Sequence, residues 1–257
     1  MTNRSITFAA LGAAALAASA CSTSSSTSGY SALVQPTGAG AYQKEWDSGQ
    51  RNRDFALAAR QPTETVDYDS AYAARLDGDV SVVAFPWQKM NKKFLRQQVR
   101  YFGQEPAGTI VVDASKKFLY FVQPGGLAMR YGIAVGKEGY GWTGNSVMQW
   151  KQKWPTWTPP AEMIERKPEL KKYADGLAGS PANPLGARAM YLFKDGKDTL
   201  YRIHGTDKPF SIGKAASSGC FRMINQDVMD LYDRVGGRPA VYVRPQVTQV
   251  AEFTSNR

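Results

Sequence analysis

The sequence predicts a mostly β-stranded domain that is preceded by a flexible, disordered N-terminal tether. Short runs of β-branched and aromatic residues, separated by turn-forming residues, recur through the second half of the chain. Two segments with helical spacing interrupt these runs. The 257 residues include 43% hydrophobic and 21% charged residues, which is typical of a globular protein.

The first twenty residues have the composition of a secretory signal peptide. Arg4 provides a positive start, residues 8–17 form an Ala/Leu-rich core too short to span a bilayer, and residues 18–20 offer small side chains for cleavage. The mature chain is therefore expected to begin near Cys21. Cys21 and the Ser/Thr run after it resemble a bacterial lipoprotein start, which implies acylation of this cysteine and an anchor in the outer membrane, on the periplasmic face of the cell envelope. Plain secretory cleavage is the alternative.

The next two segments carry no motif. Residues 21–41 are rich in Ser, Thr and Gly and nearly uncharged, so they cannot bury enough apolar surface to order themselves. Residues 42–105 are predicted to form an extension that packs on the main domain, with a helix near residues 91–100. The main domain is predicted at 106–245, and 246–257 form a tail.

The main domain is predicted to open with a β-hairpin. Thr109–Asp113 and Phe118–Val122 are runs of β-branched and aromatic residues joined by the four residues 114–117. Further strands are predicted at residues 129–135, 199–203 and 240–244.

Two helices are predicted within this domain. The first begins at Thr158, a hydroxyl cap followed by two prolines, and ends at Pro168. The second has Asn225 as its cap and stops at the glycine pair 236–237. Its apolar face repeats at i, i+3, i+4 and i+7 and is predicted to pack on the sheet, through Val228, Leu231, Tyr232 and Val235.

The charge balance favours an anionic environment. The formal net charge is +10, but the basic residues are spread along the chain rather than gathered in a motif that reads nucleic acid. Nucleic acid is therefore not an expected partner, and an anionic wall or envelope explains the positive charge better, with a charged, solvated surface as the alternative. One histidine and two cysteines are too few for a zinc site built from four Cys and His ligands. Neither a metal nor a cofactor is expected.

Cys220 and His204 form the candidate catalytic couple. If Cys21 is acylated, Cys220 is either buried and inert or retained because its thiol is used. Cys220 lies in a small-residue turn, close to Arg222 and to the start of a helix, and such surroundings lower a thiol pKa. His204 is the single histidine, and imidazole is suited to take a thiol proton. From the residues alone, a catalytic couple and a structural cysteine remain equally open.

The region from His204 to Tyr232 resembles the L,D-transpeptidase catalytic (YkuD) family. Members carry His-Gly-Thr, Ile-Gly, Ser-X-Gly-Cys-X-Arg and then Asn-X-Asp before a helix. This chain has His-Gly-Thr at 204–206, Ile-Gly at 212–213, Ser-Ser-Gly-Cys-Phe-Arg at 217–222 and Asn-Gln-Asp at 225–227. Residues 108–113 resemble the family's opening strand, so the likeness covers about 106–245. Many members have histidine where this chain has Ser218.

The resemblance implies a β-sandwich or barrel with two or more helices, and a peptidoglycan L,D-transpeptidase activity. Cys220 is the implied nucleophile and His204 the base, oriented by the carbonyl of Gly205, while the backbone around Ser218 and Gly219 stabilises the oxyanion. The bond cut joins the diamino acid of a tetrapeptide stem to its terminal D-alanine. The acyl group then passes to an amine, giving a 3–3 crosslink, protein anchoring or D-amino-acid exchange.

The implied partners are peptidoglycan stem peptides, as donor and acceptor, and a wall-anchored envelope protein as a further acceptor. A hydrolytic carboxypeptidase or amidase of the same fold and a non-catalytic wall-binding lipoprotein are the alternatives. Arg222 either pairs with a substrate carboxylate or braces the loop, and the two readings are equally open. The other predicted substrate contacts are Ser217, Tyr140, Trp142 and Trp157.

Overall fold

The computed structural model describes residues 62–136, 142–217 and 219–245. The predicted signal peptide and tether with Cys21, as well as Tyr140, Ser218 and the predicted tail, lie outside the described residues. In the part of the chain that is described, no helix has both the length and the apolar character needed to cross a bilayer.

The predicted mostly β fold is confirmed. Ten of the strands in the described residues form one mixed sheet in the order β1-β4-β7-β6-β5-β14-β9-β10-β11-β13, and β2-β3 and β8-β12 form two small sheets. The strands are β1 Pro62–Glu64, β2 Arg75–Asp77, β3 Val80–Val82, β4 Gln97–Arg100, β5 Ile110–Asp113, β6 Phe118–Gln123, β7 Leu127–Gly132, β8 Val135–Gly136, β9 Gly144–Lys153, β10 Arg188–Lys194, β11 Lys197–His204, β12 Ala215–Ser217, β13 Phe221–Arg222 and β14 Ala240–Val243.

Helices are short by comparison. The α-helices of the described residues are α1 Tyr68–Ala71, α2 Ala161–Arg166 and α3 Asn225–Arg234. Single 3₁₀ turns or slightly longer 3₁₀ segments occur at Trp87–Lys89, Lys92–Phe94, Pro168–Tyr173 and Pro209–Ser211.

The predicted hairpin is present as β5 and β6, which pair antiparallel with Asp113 opposite Phe118. The Asp113 carboxylate accepts hydrogen bonds from the Ser115 hydroxyl at 2.7 Å and from the Lys116 amide at 3.0 Å, and these contacts close the turn. The other predicted strands correspond to β7 with β8, to β11 and to β14.

The helix predicted near residues 91–100 is wrong. Asn91 caps only one 3₁₀ turn, by accepting a hydrogen bond from the Lys93 amide at 3.1 Å, and the chain is extended again from Leu95. β4 then pairs antiparallel with β7. Gln97 and Val99 are buried and Arg100 is exposed, which is close to the two-residue alternation of a strand. Pairing with β7 therefore prevails over local helix propensity in this segment.

Both helix caps predicted in the main domain are also wrong. α2 begins at Ala161 after Pro160, and Thr158 makes no cap to it because no side chain bonds the first turn. α3 has Ile224 at its cap position, and Asn225 is the first helical residue. The predicted break at Pro168 is confirmed, since a 3₁₀ segment starts there.

The hydrophobic core lies between α3 and the part of the sheet that ends in β11 and β13. Val228 and Leu231 of α3 are fully buried in this core, together with Ile203 of β11 and Phe221 of β13. Burying side chains of this size contributes roughly 1.5–3 kcal/mol each to folding. The packing fixes the position of β11, which carries His204, and of the edge strand β13, which directly follows Cys220.

Residues 62–105 contact α3 through buried polar groups. The Tyr72 hydroxyl lies 3.3 Å from Asp227 Oδ2, and Arg96 ion-pairs with Asp230 at 2.6 Å. Gln226 donates a hydrogen bond to the Val83 carbonyl at 2.8 Å. The extension therefore supports the same helix whose first residue lies beside the candidate site.

Candidate active site

His204 ends strand β11, and Cys220 directly precedes β13, the strand that pairs with β11. The strands run parallel, with Ile203 opposite Phe221 and His204 opposite Arg222. Because Ile203 and Phe221 are fully buried in the core and side chains alternate along a strand, His204 and Arg222 point away from that core. Cys220 directly precedes β13, and its thiol contacts backbone groups of Leu200 and Arg202 in β11, a few residues before His204.

The imidazole of His204 is fixed by its own neighbour. Its Nδ1 lies 2.6 Å from the carbonyl oxygen of Gly205. Since a carbonyl only accepts hydrogen bonds, Nδ1 carries the proton, and Nε2 of the neutral ring keeps its lone pair. The side chain is only 5% exposed. Burial, with the positive charge of Arg222, lowers the pKa of His204 to about 4, so the ring is neutral at pH 7 and Nε2 can accept a proton.

Asn225 holds Gly205 in place. Its Oδ1 accepts hydrogen bonds from the amides of Ala187 at 3.0 Å and Thr206 at 3.1 Å, and its Nδ2 donates to the Thr206 carbonyl at 3.0 Å. Gly205 passes so close to this amide that an added Cβ would collide with Asn225 Oδ1. Glycine is therefore required at 205 by the approach of Asn225, and the carbonyl that orients His204 is held from both sides.

Cys220 is partly buried, and backbone groups of β11 contact its thiol. Sγ lies 3.8 Å from the Leu200 carbonyl oxygen, and the Arg202 amide also hydrogen-bonds the sulfur. Burial raises the pKa of the Cys220 thiol, whereas the Arg202 amide and the charges of Arg202 and Arg222 lower it to a smaller extent. The resting state of these two groups is therefore a neutral thiol and a neutral imidazole.

The turn before Cys220 depends on Gly219, whose φ of +125° is rarely adopted by residues with a side chain. Arg222 lies just beyond Cys220, and its Nη1 donates to the Ser211 hydroxyl at 3.1 Å and to the Ala216 carbonyl at 3.5 Å. Both contacts go to the loop before the nucleophile, so Arg222 has the geometry of a brace. Ser217, at the end of that loop, pairs through its backbone with Gly136 of β8.

The two predicted tryptophan contacts lie in different surroundings. Trp142 stacks on Tyr201 at 5.1 Å between ring centroids and packs against the hydrophobic core. Trp157 contacts Tyr173 at 6.1 Å and pairs with Leu177. No described contact joins either tryptophan to Cys220 or His204.

Sequence reasoning missed Arg202 and did not choose Trp150 among the predicted substrate contacts. Trp150, Tyr191 and Arg202 are in register across β9, β10 and β11. Trp150 stacks on Tyr191 at 3.5 Å and is 44% exposed, and the Arg202 guanidinium lies 4.5 Å from the same tyrosine ring. Two-residue alternation counted back from Ile203 would have placed Arg202 on the outer face with His204.

The arrangement provides a nucleophile, a base and two positive charges on one surface. Within the described ranges, no group of three or more His, Cys, Asp or Glu side chains has the arrangement of a metal site. The chemistry that the described residues support is acyl transfer through a thiol, with proton transfer to and from a neutral imidazole.

Comparison with known proteins identifies relatives among the L,D-transpeptidases. The model of the L,D-transpeptidase catalytic domain, YkuD, matches residues 107–245. "Probable L,D-transpeptidase ErfK/SrfK" of Escherichia coli K12 is 34% identical over 133 residues, 49% of this chain and 40% of that protein. "Probable L,D-transpeptidase YbiS" of the same strain is 30% identical over 133 residues, 50% of this chain and 41% of that protein. The chain thus spans about two fifths of the length of these relatives.

Among solved structures, a Brucella melitensis protein described as a probable carnitine operon oxidoreductase, caia, is 53% identical. The match covers 59% of this chain and 94% of that chain, with a TM-score of 0.43. The YkuD model, by contrast, accounts for more than half of the present chain. The protein therefore belongs to the L,D-transpeptidase catalytic domain (YkuD) family.

Proposed function

We propose that the protein is a cysteine L,D-transpeptidase that acts on the tetrapeptide stems of peptidoglycan. The observation that carries this proposal is that the thiol of Cys220 contacts the backbone of β11, the strand that ends in His204, whose imidazole tautomer is set by the Gly205 carbonyl. Membership of the family supports the same reaction class.

In the proposed first step, Nε2 of His204 takes the thiol proton as Cys220 Sγ bonds to the carbonyl carbon of the diamino acid. The tetrahedral oxyanion is stabilised by backbone N–H groups around Gly219 and Cys220. The C–N bond to the terminal D-alanine then breaks, and its nitrogen receives the proton from His204. A thioester on Cys220 remains.

In the second step an amine attacks the thioester. His204 removes a proton from this nitrogen, the C–S bond breaks, and the sulfur is protonated again. The acceptor is a second stem, a lysine of a wall-anchored protein or a free D-amino acid. Water in place of the amine makes the protein a hydrolase, and a protein that performs neither step is a wall-binding module.

The test is incubation of the purified protein with a tetrapeptide muropeptide, followed by mass spectrometry of the products. We expect D-alanine release together with a crosslinked or exchanged product, and loss of both in Cys220→Ala. Cys220→Ser is the matched control, because it replaces the thiol with a hydroxyl of similar size that is a much weaker nucleophile at neutral pH. Release of D-alanine without an amine adduct identifies a hydrolase, and no release from the unmodified protein contradicts the enzyme proposal.

We further propose that the protein is anchored through an acylated Cys21 to the outer membrane, facing the periplasm. The support is the sequence of the first 28 residues, in which a short apolar core precedes a cysteine and a Ser/Thr run. Labelling of cells with palmitate is expected to mark the unmodified protein and not Cys21→Ser. Equal labelling of both would remove this proposal.

A further inference from the structure

Strand β11 is irregular next to the nucleophile. β10 and β11 pair regularly up to Tyr191 opposite Arg202, but the next pair is Phe193 opposite Asp198. Three residues of β11, 199–201, therefore face one residue of β10. We refer to Asp198–Arg202 as the 198–202 bulge. Bulges of this kind re-aim backbone groups and side chains and occur often beside active sites.

Leu200, at the centre of the bulge, has an unfavourable backbone conformation. Its φ is +62°, in the left-handed region that residues with a Cβ rarely adopt. Its side chain is 76% exposed, so burial of the leucine does not offset this strain. Leu200 therefore has this conformation because other groups of the bulge impose it.

Two sets of hydrogen bonds impose it. Asp198 Oδ1 accepts from the Leu200 amide at 2.8 Å, and the Asp198 carboxylate is held by both terminal nitrogens of Arg202 at 2.7 Å. The Thr199 hydroxyl donates to the Leu192 carbonyl at 2.6 Å and accepts from the Tyr201 amide at 3.1 Å. The Asp198 and Thr199 side chains therefore fix the bulge internally, and Thr199 also links it to β10.

The backbone groups that this conformation turns outward are those that contact the thiol. The Leu200 carbonyl oxygen lies 3.8 Å from Cys220 Sγ, and the Arg202 amide hydrogen-bonds the same sulfur. A carbonyl favours a protonated thiol, since it accepts S–H and repels a thiolate, whereas an amide favours the thiolate. The bulge therefore presents one group for each protonation state.

We propose that the 198–202 bulge positions the nucleophile, with Leu200 as a positioning residue whose backbone carbonyl keeps the resting thiol of Cys220 protonated and aimed. This inference rests on the proposed function for its catalytic consequence, while its effect on the thiol stands on the contacts alone. The left-handed conformation of Leu200, not its side chain, is what the site requires.

Two substitutions at one position separate the backbone from the side chain. Asn tolerates the left-handed region, whereas a β-branched residue opposes it. We expect Leu200→Asn to retain kcat within about twofold and Leu200→Val to lower kcat by about tenfold or more, although valine is the closer match to leucine in polarity. KM is expected to change little in both variants.

The resting thiol gives a second readout that needs no substrate. The rate of alkylation of Cys220 by iodoacetamide, measured across pH, reports how readily the thiolate forms. The groups that bear on this titration are Arg202, Arg222, Asp198 and, on the same face, His204. We expect Leu200→Val to react faster near pH 7 than the unmodified protein while its kcat falls, because the carbonyl no longer holds the proton. Unfolding would also expose the thiol and speed alkylation, so both variants are compared under conditions in which circular dichroism shows them fully folded.

The matched control is Asp195→Val. Asp195 also has a positive φ, of +51°, but lies in the turn at the tip of the same hairpin. This variant introduces comparable backbone strain and is expected to leave kcat and alkylation unchanged. Should Leu200→Val not fold, Thr199→Ala serves instead, because it removes the hydroxyl contacts with the Leu192 carbonyl and the Tyr201 amide that hold the bulge and leaves the charge near the thiol unchanged. It is expected to give faster alkylation and lower kcat.

Leu200→Val with kcat equal to or above that of Leu200→Asn would overturn the inference, and so would alkylation rates that do not change in any bulge variant. If the unmodified protein releases no D-alanine from muropeptides, the proposed function fails, yet the alkylation series still decides whether the bulge sets the state of the thiol.

Discussion

His204 and Gly205 form the contact that sets the proton state of the site, with Nδ1 of the ring 2.6 Å from the neighbouring carbonyl oxygen. A carbonyl carries no net charge, so it orients the ring without stabilising an imidazolium as strongly as a carboxylate does. Burial then dominates, and the positive charge of Arg222 acts in the same direction. The base of this site is therefore held in its neutral form well below neutral pH.

The activity should persist at mildly acidic pH. Protonated His204 cannot accept the thiol proton, and burial lowers its pKa to about 4 from an ordinary 6.5. The acid limb of kcat/KM, measured as D-alanine release from a muropeptide, is therefore expected near pH 4, with activity retained at pH 5.5. His204→Gln is the control and should be nearly inactive at every pH. An acid limb near 6.5 would contradict the buried, neutral base.

Removing the Asn225 side chain should lower turnover more than substrate affinity. Asn225→Ala deletes three hydrogen bonds to residues 187 and 206, so the Gly205 carbonyl is no longer fixed. We expect kcat to fall about tenfold and the free energy of unfolding to fall by about 2 kcal/mol, with KM nearly unchanged. Asn225→Asp keeps the acceptor oxygen, so its kcat should lie between those of Asn225→Ala and the unmodified protein. Steady-state kinetics and urea unfolding measure these effects, and an unchanged kcat in Asn225→Ala would disprove the positioning role.

Arg222 is expected to act as a brace. If so, Ser211→Ala, which removes one of its partners without changing charge, should reproduce part of the defect of Arg222→Gln. We expect kcat to fall about two- to tenfold in Ser211→Ala, further in Arg222→Gln, and KM to stay nearly constant in both. Kinetics with a tetrapeptide stem distinguish the alternative: a large rise in KM confined to Arg222→Gln would show that Arg222 binds a substrate carboxylate.

Asp227 should make stability depend on pH. Its carboxyl is fully buried beside the Tyr72 hydroxyl, and burial raises its pKa to about 7 despite the nearby charge of Arg96. Because the folded pKa exceeds the unfolded value of 3.8, the folded protein holds an extra proton between these pH values, and stability from this group is lost as pH rises through 7.

The comparison of Asp227→Asn with the unmodified protein isolates this effect. The variant does not titrate, so its free energy of unfolding relative to the unmodified protein should increase as pH rises from 5 to 8, by about 3 kcal/mol at most. Urea unfolding at both pH values, with Asp198→Asn as a matched change of charge at a more exposed carboxylate, provides the measurement. A difference that is the same at both pH values would contradict the raised pKa.

The fold was predictable wherever one face of an element is uniformly apolar. The runs at 109–113 and 118–122 and the i, i+3, i+4, i+7 pattern of α3 each report a buried surface, and all three elements are present. The segment 91–100 failed because its strand is specified by pairing with β7, which lies about 30 residues further along the chain.

The site residues also differ in whether the local sequence could predict them. The motif around Cys220 and His204 is local, and a parallel pairing of two short runs brings it together. Asn225 has a side chain typical of a helix cap, yet its side-chain oxygen accepts hydrogen bonds from Ala187 and Thr206. A rule based on local sequence cannot predict these distant contacts. Trp150 and Arg202 come together only through the register of β9, β10 and β11, and the bulge in β11 has no composition that marks it.

The pairing of β4 with β7 limits how the protein can be shortened. A fragment that starts at residue 106 contains His204 and Cys220, but it loses Gln97–Arg100 and with them the partner of Leu127–Gly132. The amide and carbonyl groups along one side of β7 would then be open to strands from other molecules, and the fragment should self-associate. Trimming the chain to the borders of the matched family region would thus turn β7 from an interior strand into an exposed edge strand that is prone to aggregation.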